Sequence, residues 1–170
     1  IKSFYMGGGT PTTLTAEQMD RLLTKLERSF DFTSLAESTI EAGRPDTIDP
    51  EKLAVLRAHG VTRVSVNPQT MEDGVLAAIG RRHTADDIRR AMEQVKNANF
   101  PHVNMDLIAG LPEDTPEGFA RSLDEVISMG ADNITVHTLS LKKGSRIMLE
   151  GSRIPGAEEV AQMLDYADPT

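Results

Sequence analysis

Gly7-Gly8-Gly9-Thr10-Pro11-Thr12 is the stretch of this chain whose residue types say most about chemistry. It follows a short apolar run, residues 1–6, and three glycines at a strand end leave the backbone bare. Main-chain N–H and C=O groups can then approach a ligand closely, at φ values that other residues resist. Just beyond, Thr15-Ala16-Glu17-Gln18 has a capping-box pattern, with Leu14 and Met19 spaced for a hydrophobic staple. The unit reads as strand, bare turn, helix. It is either a flexible loop or, as we prefer, a ligand-binding turn, whose ligand the motif does not name.

Polar groups also recur inside otherwise apolar runs. In Val103-Asn104-Met105-Asp106-Leu107-Ile108, Asn104 and Asp106 alternate with apolar neighbours. A carboxylate within a buried strand is costly unless it is paired or hydrogen-bonded. Asp106 is therefore either half of a structural ion pair or, as we prefer, an inward-facing ligand acceptor. Glu37, Thr39 and Glu41 share one face of their run with Ile40 on the other, and Glu41 at the strand end is the stronger candidate. Gln69 lies just past the apolar residues 64–66. Arg81-Arg82-His83 forms a cationic knot after Gly80 that either grips a carboxylate bidentately or sits solvated on the surface. Lys142, Lys143 and Arg146 follow the last strand and read as surface charge or as contacts for an anionic substrate. His59, beside Gly60, reads as a solvated helix cap, and His137 as a packing or hydrogen-bonding group.

Such residues need a scaffold that gathers strand ends. Strands are expected at residues 1–6, 35–42, 61–66, 103–108 and 133–139. Helices are expected at 15–30, from Asp49-Pro50 to Gly60, at 72–79, after the Thr84 cap, from Thr115-Pro116 to Gly130, and at 157–166. Five strands separated by helices imply an α/β protein with a parallel sheet, and nothing divides residues 1–170 into two domains. Right-handed crossovers allow an open doubly wound sheet or part of a (β/α) barrel. Periodicity does not choose between them. The unusual residues gather at the carboxyl ends of strands, where barrel sites are built.

Composition narrows the chemistry. Twenty-six acidic residues against 18 basic ones give a formal charge of -8, which argues against nucleic acid or an anionic membrane as partner. No signal peptide or membrane-length apolar run is present, so a cytoplasmic location is expected. The chain has no cysteine, so these residues offer no disulfide, no thiol nucleophile and no thiolate-held zinc or iron–sulfur site. Its four histidines are scattered without ligand spacing, and no metal site is expected. The first residue is Ile1 and the last are Asp168-Pro169-Thr170, which suggests a fragment incomplete at both ends.

Taken as a series, these residues resemble the radical S-adenosylmethionine (SAM) enzymes, specifically the oxygen-independent coproporphyrinogen III oxidase (dehydrogenase) family. The series is Gly7 to Thr12, Ile40-Glu41, Arg63-Val64-Ser65 with Gln69, Gly80-Arg81, Asn104 to Ile108, and Gly110-Leu111-Pro112. The resemblance covers essentially the whole chain and implies a truncated, partial (β/α) barrel that binds SAM across its strand ends. It implies that Gly8, Gly9 and Thr10 hold the methionine amino group and that Glu41 contacts the bound SAM. Gln69, Arg81 and Asp106 would line the ribose and carboxylate, or a second SAM. Ile108 to Leu111, Gly110 among them, would flank the adenine, and Ser140 would fall at the cofactor's edge.

In that family a 4Fe-4S cluster on three cysteines cleaves SAM, and the radical formed starts oxidative decarboxylation of porphyrinogen propionates to vinyl groups. The implied enzyme is an oxidoreductase of porphyrin and haem biosynthesis, monomeric, with an electron donor as partner. Its cluster ligands are expected upstream of Ile1, so the fragment alone is expected to be inactive. A related branch binds and delivers haem as a chaperone. Glu41-Ala42-Gly43-Arg44-Pro45-Asp46-Thr47 and Asn67-Pro68-Gln69-Thr70-Met71 depart from the usual family segments and resemble a coproporphyrinogen dehydrogenase-like branch.

Overall fold

Five strands form from the apolar and β-branched runs: β1 (Ser3–Met6), β2 (Glu37–Gly43), β3 (Arg63–Gln69), β4 (His102–Ala109) and β5 (Asn133–Thr138). The structure is a computed structural model and describes residues 1–140 and 151–168. All neighbouring pairs run parallel, in the sheet order β1-β2-β3-β4-β5. A doubly wound sheet needs a point where strand order reverses, and this sheet has none. With right-handed crossovers the sequential order keeps the connecting helices on one side, which is the arc of a (β/α) barrel.

Among the described residues, six α-helices cover the outer face: α1 (Ala16–Ser29), α2 (Pro50–Ala58), α3 (Asp73–Ala78), α4 (Ala85–Asn97), α5 (Pro116–Ser128) and α6 (Ala157–Ala167). Their starts follow the sequence signals. Thr15 with Gln18 and Thr84 with Asp87 close capping boxes, and the Asp49 and Thr115 side chains accept from Lys52 and Gly118 N–H groups. Met19, Leu23, Leu53, Leu56, Ile88, Met92, Phe119 and Val126 of these helices bury against Ile40, Val64, Val66, Met105 and Leu107 of the strands. At about 25 cal/mol per Å² of apolar surface, each such side chain contributes roughly 1.5–3 kcal/mol.

Two strand boundaries differ from expectation for local reasons. β2 starts at Glu37 because the Leu35 N–H is turned back to the Phe32 carbonyl. β3 runs on through buried Pro68 to Gln69, because the β3–β4 register shifts between Val66 and Gln69. A proline, having no N–H to give, is accepted at such an irregularity in a central strand. A second shift, between Glu41 and Gly43, kinks the end of β2. Both irregularities lie at carboxyl ends of strands.

Candidate functional site

Alternation along parallel strands sends one parity to the helices and the other to the concave face. The concave face is polar. Tyr5, Glu37, Thr39, Glu41, Arg63, Ser65, Asn104, Asp106, Asn133, Thr135 and His137 line a trough of about 330 Å³. Asn104 is its centre: its amide donates to Asp106 Oδ1 at 2.6 Å and to Ser65 Oγ at 3.1 Å. Its carbonyl accepts from Asn133 Nδ2 at 2.5 Å and from Thr135 Oγ1 at 3.3 Å. Asp106 is thus held by hydrogen bonds, with His137 Nε2 4.0 Å from its other oxygen. The alternative of a close structural ion pair is not what forms. Arg63 approaches Glu37 at 3.5 Å without a hydrogen bond between them.

Glu41 joins the trough to the glycine turn. It accepts the Tyr5 hydroxyl at 2.5 Å and the Gly8 N–H at 3.1 Å. Burial, then the bond to Glu41 and the charges of Glu41 and Asp106, push the Tyr5 phenol up to about 12. A Cβ on Gly7 would lie 2.5 Å from Glu41 Oε2, so that glycine makes room for the carboxylate. Gly8 has φ 86° and, like Gly9, faces open space. The turn is anchored from behind. Fully buried Thr12 donates to the Ala42 carbonyl at 2.5 Å and lies 2.6 Å from Thr47 Oγ1. Lys52 Nζ donates to the carbonyls of Thr12 and Thr47 at 2.8 and 3.1 Å.

The other expected residues divide. Gln69 takes φ 70°, unusual for a side-chain-bearing residue, and its carbonyl oxygen accepts from Arg81 Nε at 3.2 Å. Burial, with the charge of Arg44, lowers the Arg81 pKa. Thr10 is less available than expected, because its carbonyl already accepts from the Thr13 N–H and hydroxyl at 2.9 and 2.7 Å. Gly110 is buried at φ 85°, its N–H aimed at the Met163 sulfur, and a Cβ there would come within 3.0 Å of Val160. Packing of α6 accounts for that glycine. Ser140 is exposed. Lys142, Lys143 and Arg146 lie outside the described residues.

His59 is the C-cap of α2, as expected, but its side chain is not solvated. Nδ1 lies 2.8 Å from Glu27 and Nε2 2.9 Å from Asp20, so the ring ties the end of α2 to α1. The two acids sit seven residues apart on α1, two turns along one face, a spacing that was readable. Tyr5, Asn133 and Thr135 escaped sequence reading, although the period-two parity that picked out Glu37, Thr39 and Glu41 also selects them; Arg63 stood only within the series that carries the resemblance. Asp114, 1% exposed in the loop before α5, was also missed. Among the described residues no group of three acids or histidines could hold a metal, and no helix could cross a membrane.

Residues 1–126 match the Radical SAM superfamily model, the span that holds the glycine turn, Glu41 and Asp106. The chain belongs to the radical SAM superfamily. Among curated relatives it is 43% identical to the Bacillus subtilis oxygen-independent coproporphyrinogen-III oxidase-like protein HemZ, over 98% of this chain and 34% of HemZ. It is 33% identical to the heme chaperone HemW of the same organism, over 97% of this chain and 45% of HemW. Among solved structures, Escherichia coli coproporphyrinogen III oxidase HemN superposes with a TM-score of 0.88 at 29% identity, covering 98% of this chain and 39% of HemN. The chain therefore spans well under half the length of each of these relatives. The radical SAM fold is the partial barrel expected from the sequence.

Proposed function

We propose that this chain is the SAM-binding barrel segment of a longer radical SAM oxidoreductase that decarboxylates coproporphyrinogen III propionates to vinyl groups. The observation that carries the reading is the pairing of an open glycine turn with a carboxylate, Glu41, at the mouth of a polar trough holding Asp106. The residues fit SAM: open, side-chain-free backbone at Gly8 and Gly9 suits an ammonium, and the Arg81 fork suits a carboxylate. Asp106, held by Asn104, presents an acceptor for ribose hydroxyls, while Gln69 orients Arg81. Thr10 contributes its side chain, and the backbone near Gly110 and Ser140 flanks the adenine. When bound, SAM supplies hydrogen-abstracting radical chemistry. The chain's own part is to fix the cofactor's polar ends and keep the reacting atoms aligned.

A 4Fe-4S cluster does not fit the residues present, since none is a cysteine, and its ligands come from outside them. Alone, the chain is inactive. The relation to HemZ and HemN supports the decarboxylase reading, and that to HemW supports a second one, haem binding and delivery. The longer protein, reconstituted anaerobically with iron and sulfide, separates them when given SAM, reductant and coproporphyrinogen III. Formation of 5′-deoxyadenosine together with protoporphyrinogen is the expected result. Tight haem binding with an unchanged porphyrinogen would overturn it in favour of the chaperone.

A further inference from the structure

A second polar cavity, of about 670 Å³, shares no residue with the trough. Arg44, Asp46, Gly80, Arg81, Arg82 and His83 line it. Three arginines line it in a chain whose net charge is -8, against the tendency of its surface. Countercharge is scarce. Asp46 stands 3.7 Å from Arg44, and among the described residues no carboxylate lies within salt-bridge distance of Arg81 or Arg82. His83 is only 5% exposed, and its Nε2 is buried without a hydrogen-bond partner. A polar ring nitrogen is seldom left so without reason.

We propose that Arg44, Arg82 and His83 form an oxyanion subsite, next to Arg81, that takes a carboxylate arm of the substrate. The inference rests on the porphyrinogen reading above for the identity of that arm, while the site itself rests on the cavity. Arginine forks match a carboxylate with two parallel N–H···O bonds. The cavity is much larger than a carboxylate, so the group it takes belongs to a larger molecule. The electrostatics of the lining favour an anion. Burial and the Arg81 charge hold the His83 ring below its ordinary value, against the weaker opposing effects of Asp46, a hydrogen bond to the Pro68 backbone and Asp87. Arg44 likewise acts on Arg81. A carboxylate placed among them reverses both effects and favours a protonated His83 that donates from Nε2.

The carboxylate could come from a porphyrinogen propionate or from the methionine end of a SAM, and the test separates the two. In the cluster-loaded longer protein, binding of coproporphyrin III, of its tetramethyl ester and of radiolabelled SAM is measured for wild type, Arg44→Ala, Arg82→Ala and Arg82→Lys. Expected is a loss of about tenfold for the tetraacid in each alanine variant. Arg82→Lys recovers part of it, and ester and SAM affinities stay level. Equal binding of the tetraacid by all forms overturns the proposal, as does a loss confined to SAM. A second readout does not depend on porphyrin: with ¹³C-labelled histidine, added propionate raises the His83 pKa in wild type and not in Arg82→Ala. If that response is seen while coproporphyrin fails to bind, the oxyanion site stands and the porphyrinogen reading falls. If propionate leaves His83 unmoved, the site falls whatever porphyrin does.

Discussion

Glu41 is the residue on which the candidate site turns, since one carboxylate receives both the Tyr5 hydroxyl and the Gly8 N–H. Gly7→Ala brings a methyl group to 2.5 Å from that carboxylate and displaces it. We expect SAM affinity of the longer protein to fall about tenfold, the cost of one charge-assisted hydrogen bond, with little change in the urea midpoint. Equilibrium dialysis with radiolabelled SAM checks it, and unaltered affinity would separate Glu41 from cofactor binding. Tyr5 reports on the same contact. In a Tyr166→Phe background its ultraviolet titration should centre near 12, and adding Glu41→Gln should move it down towards 10. Part of this was legible: Glu41 and Asp106 stand out by type against apolar neighbours, the glycines by their run, and Gln69 and Arg81 by their place after a strand and a glycine. Tyr5 did not, because an aromatic residue on a short strand looks like core until the pleat's parity is followed across to β2.

Two contacts between elements give the fold its expected pH response. His59 links α1 to α2 through Asp20 and Glu27, and those bonds raise its pKa although burial alone would lower it. A raised histidine value means the stabilisation is complete below the unfolded value of about 6.5 and is lost as pH rises through the folded value. His59→Ala should therefore cost about 1–2 kcal/mol near pH 6 and progressively less in more alkaline buffer, read from urea unfolding. Asp114, buried in the loop before α5 and within reach of the Glu72 charge at the start of α3, behaves oppositely to a paired carboxylate. Burial pushes it up to about 6. The native state then holds a proton that the unfolded chain releases, so stability falls as pH rises from about 4 to about 6. Asp114→Asn should flatten that decline, worth about 3 kcal/mol at most, and an unchanged pH profile would count against it. The elements themselves were readable, since capping boxes and apolar stripes are local. The Glu41–Gly43 and Val66–Gln69 irregularities were not, because a bulge is decided by the neighbouring strand's register and leaves no period in its own sequence.

Among the described residues the sheet is an open arc, with β1 and β5 at its two edges. Such edges invite pairing, so the isolated chain should self-associate with concentration in size-exclusion chromatography, while the longer protein runs as a monomer. Anaerobic treatment of the isolated chain with iron and sulfide should yield no cluster absorbance, and a stable signal would contradict the assignment of the ligands elsewhere. The choice of barrel over doubly wound sheet could not be made from periodicity, because both use the same β/α units and differ only in which strands become neighbours. That neighbour order bears on how the protein is made. Each strand pairs with the one synthesised just before it, so during translation every arriving unit finds its partner already emerged from the ribosome. Assembly can then proceed in the order of synthesis, with each new β/α unit closing only a short loop onto a finished edge.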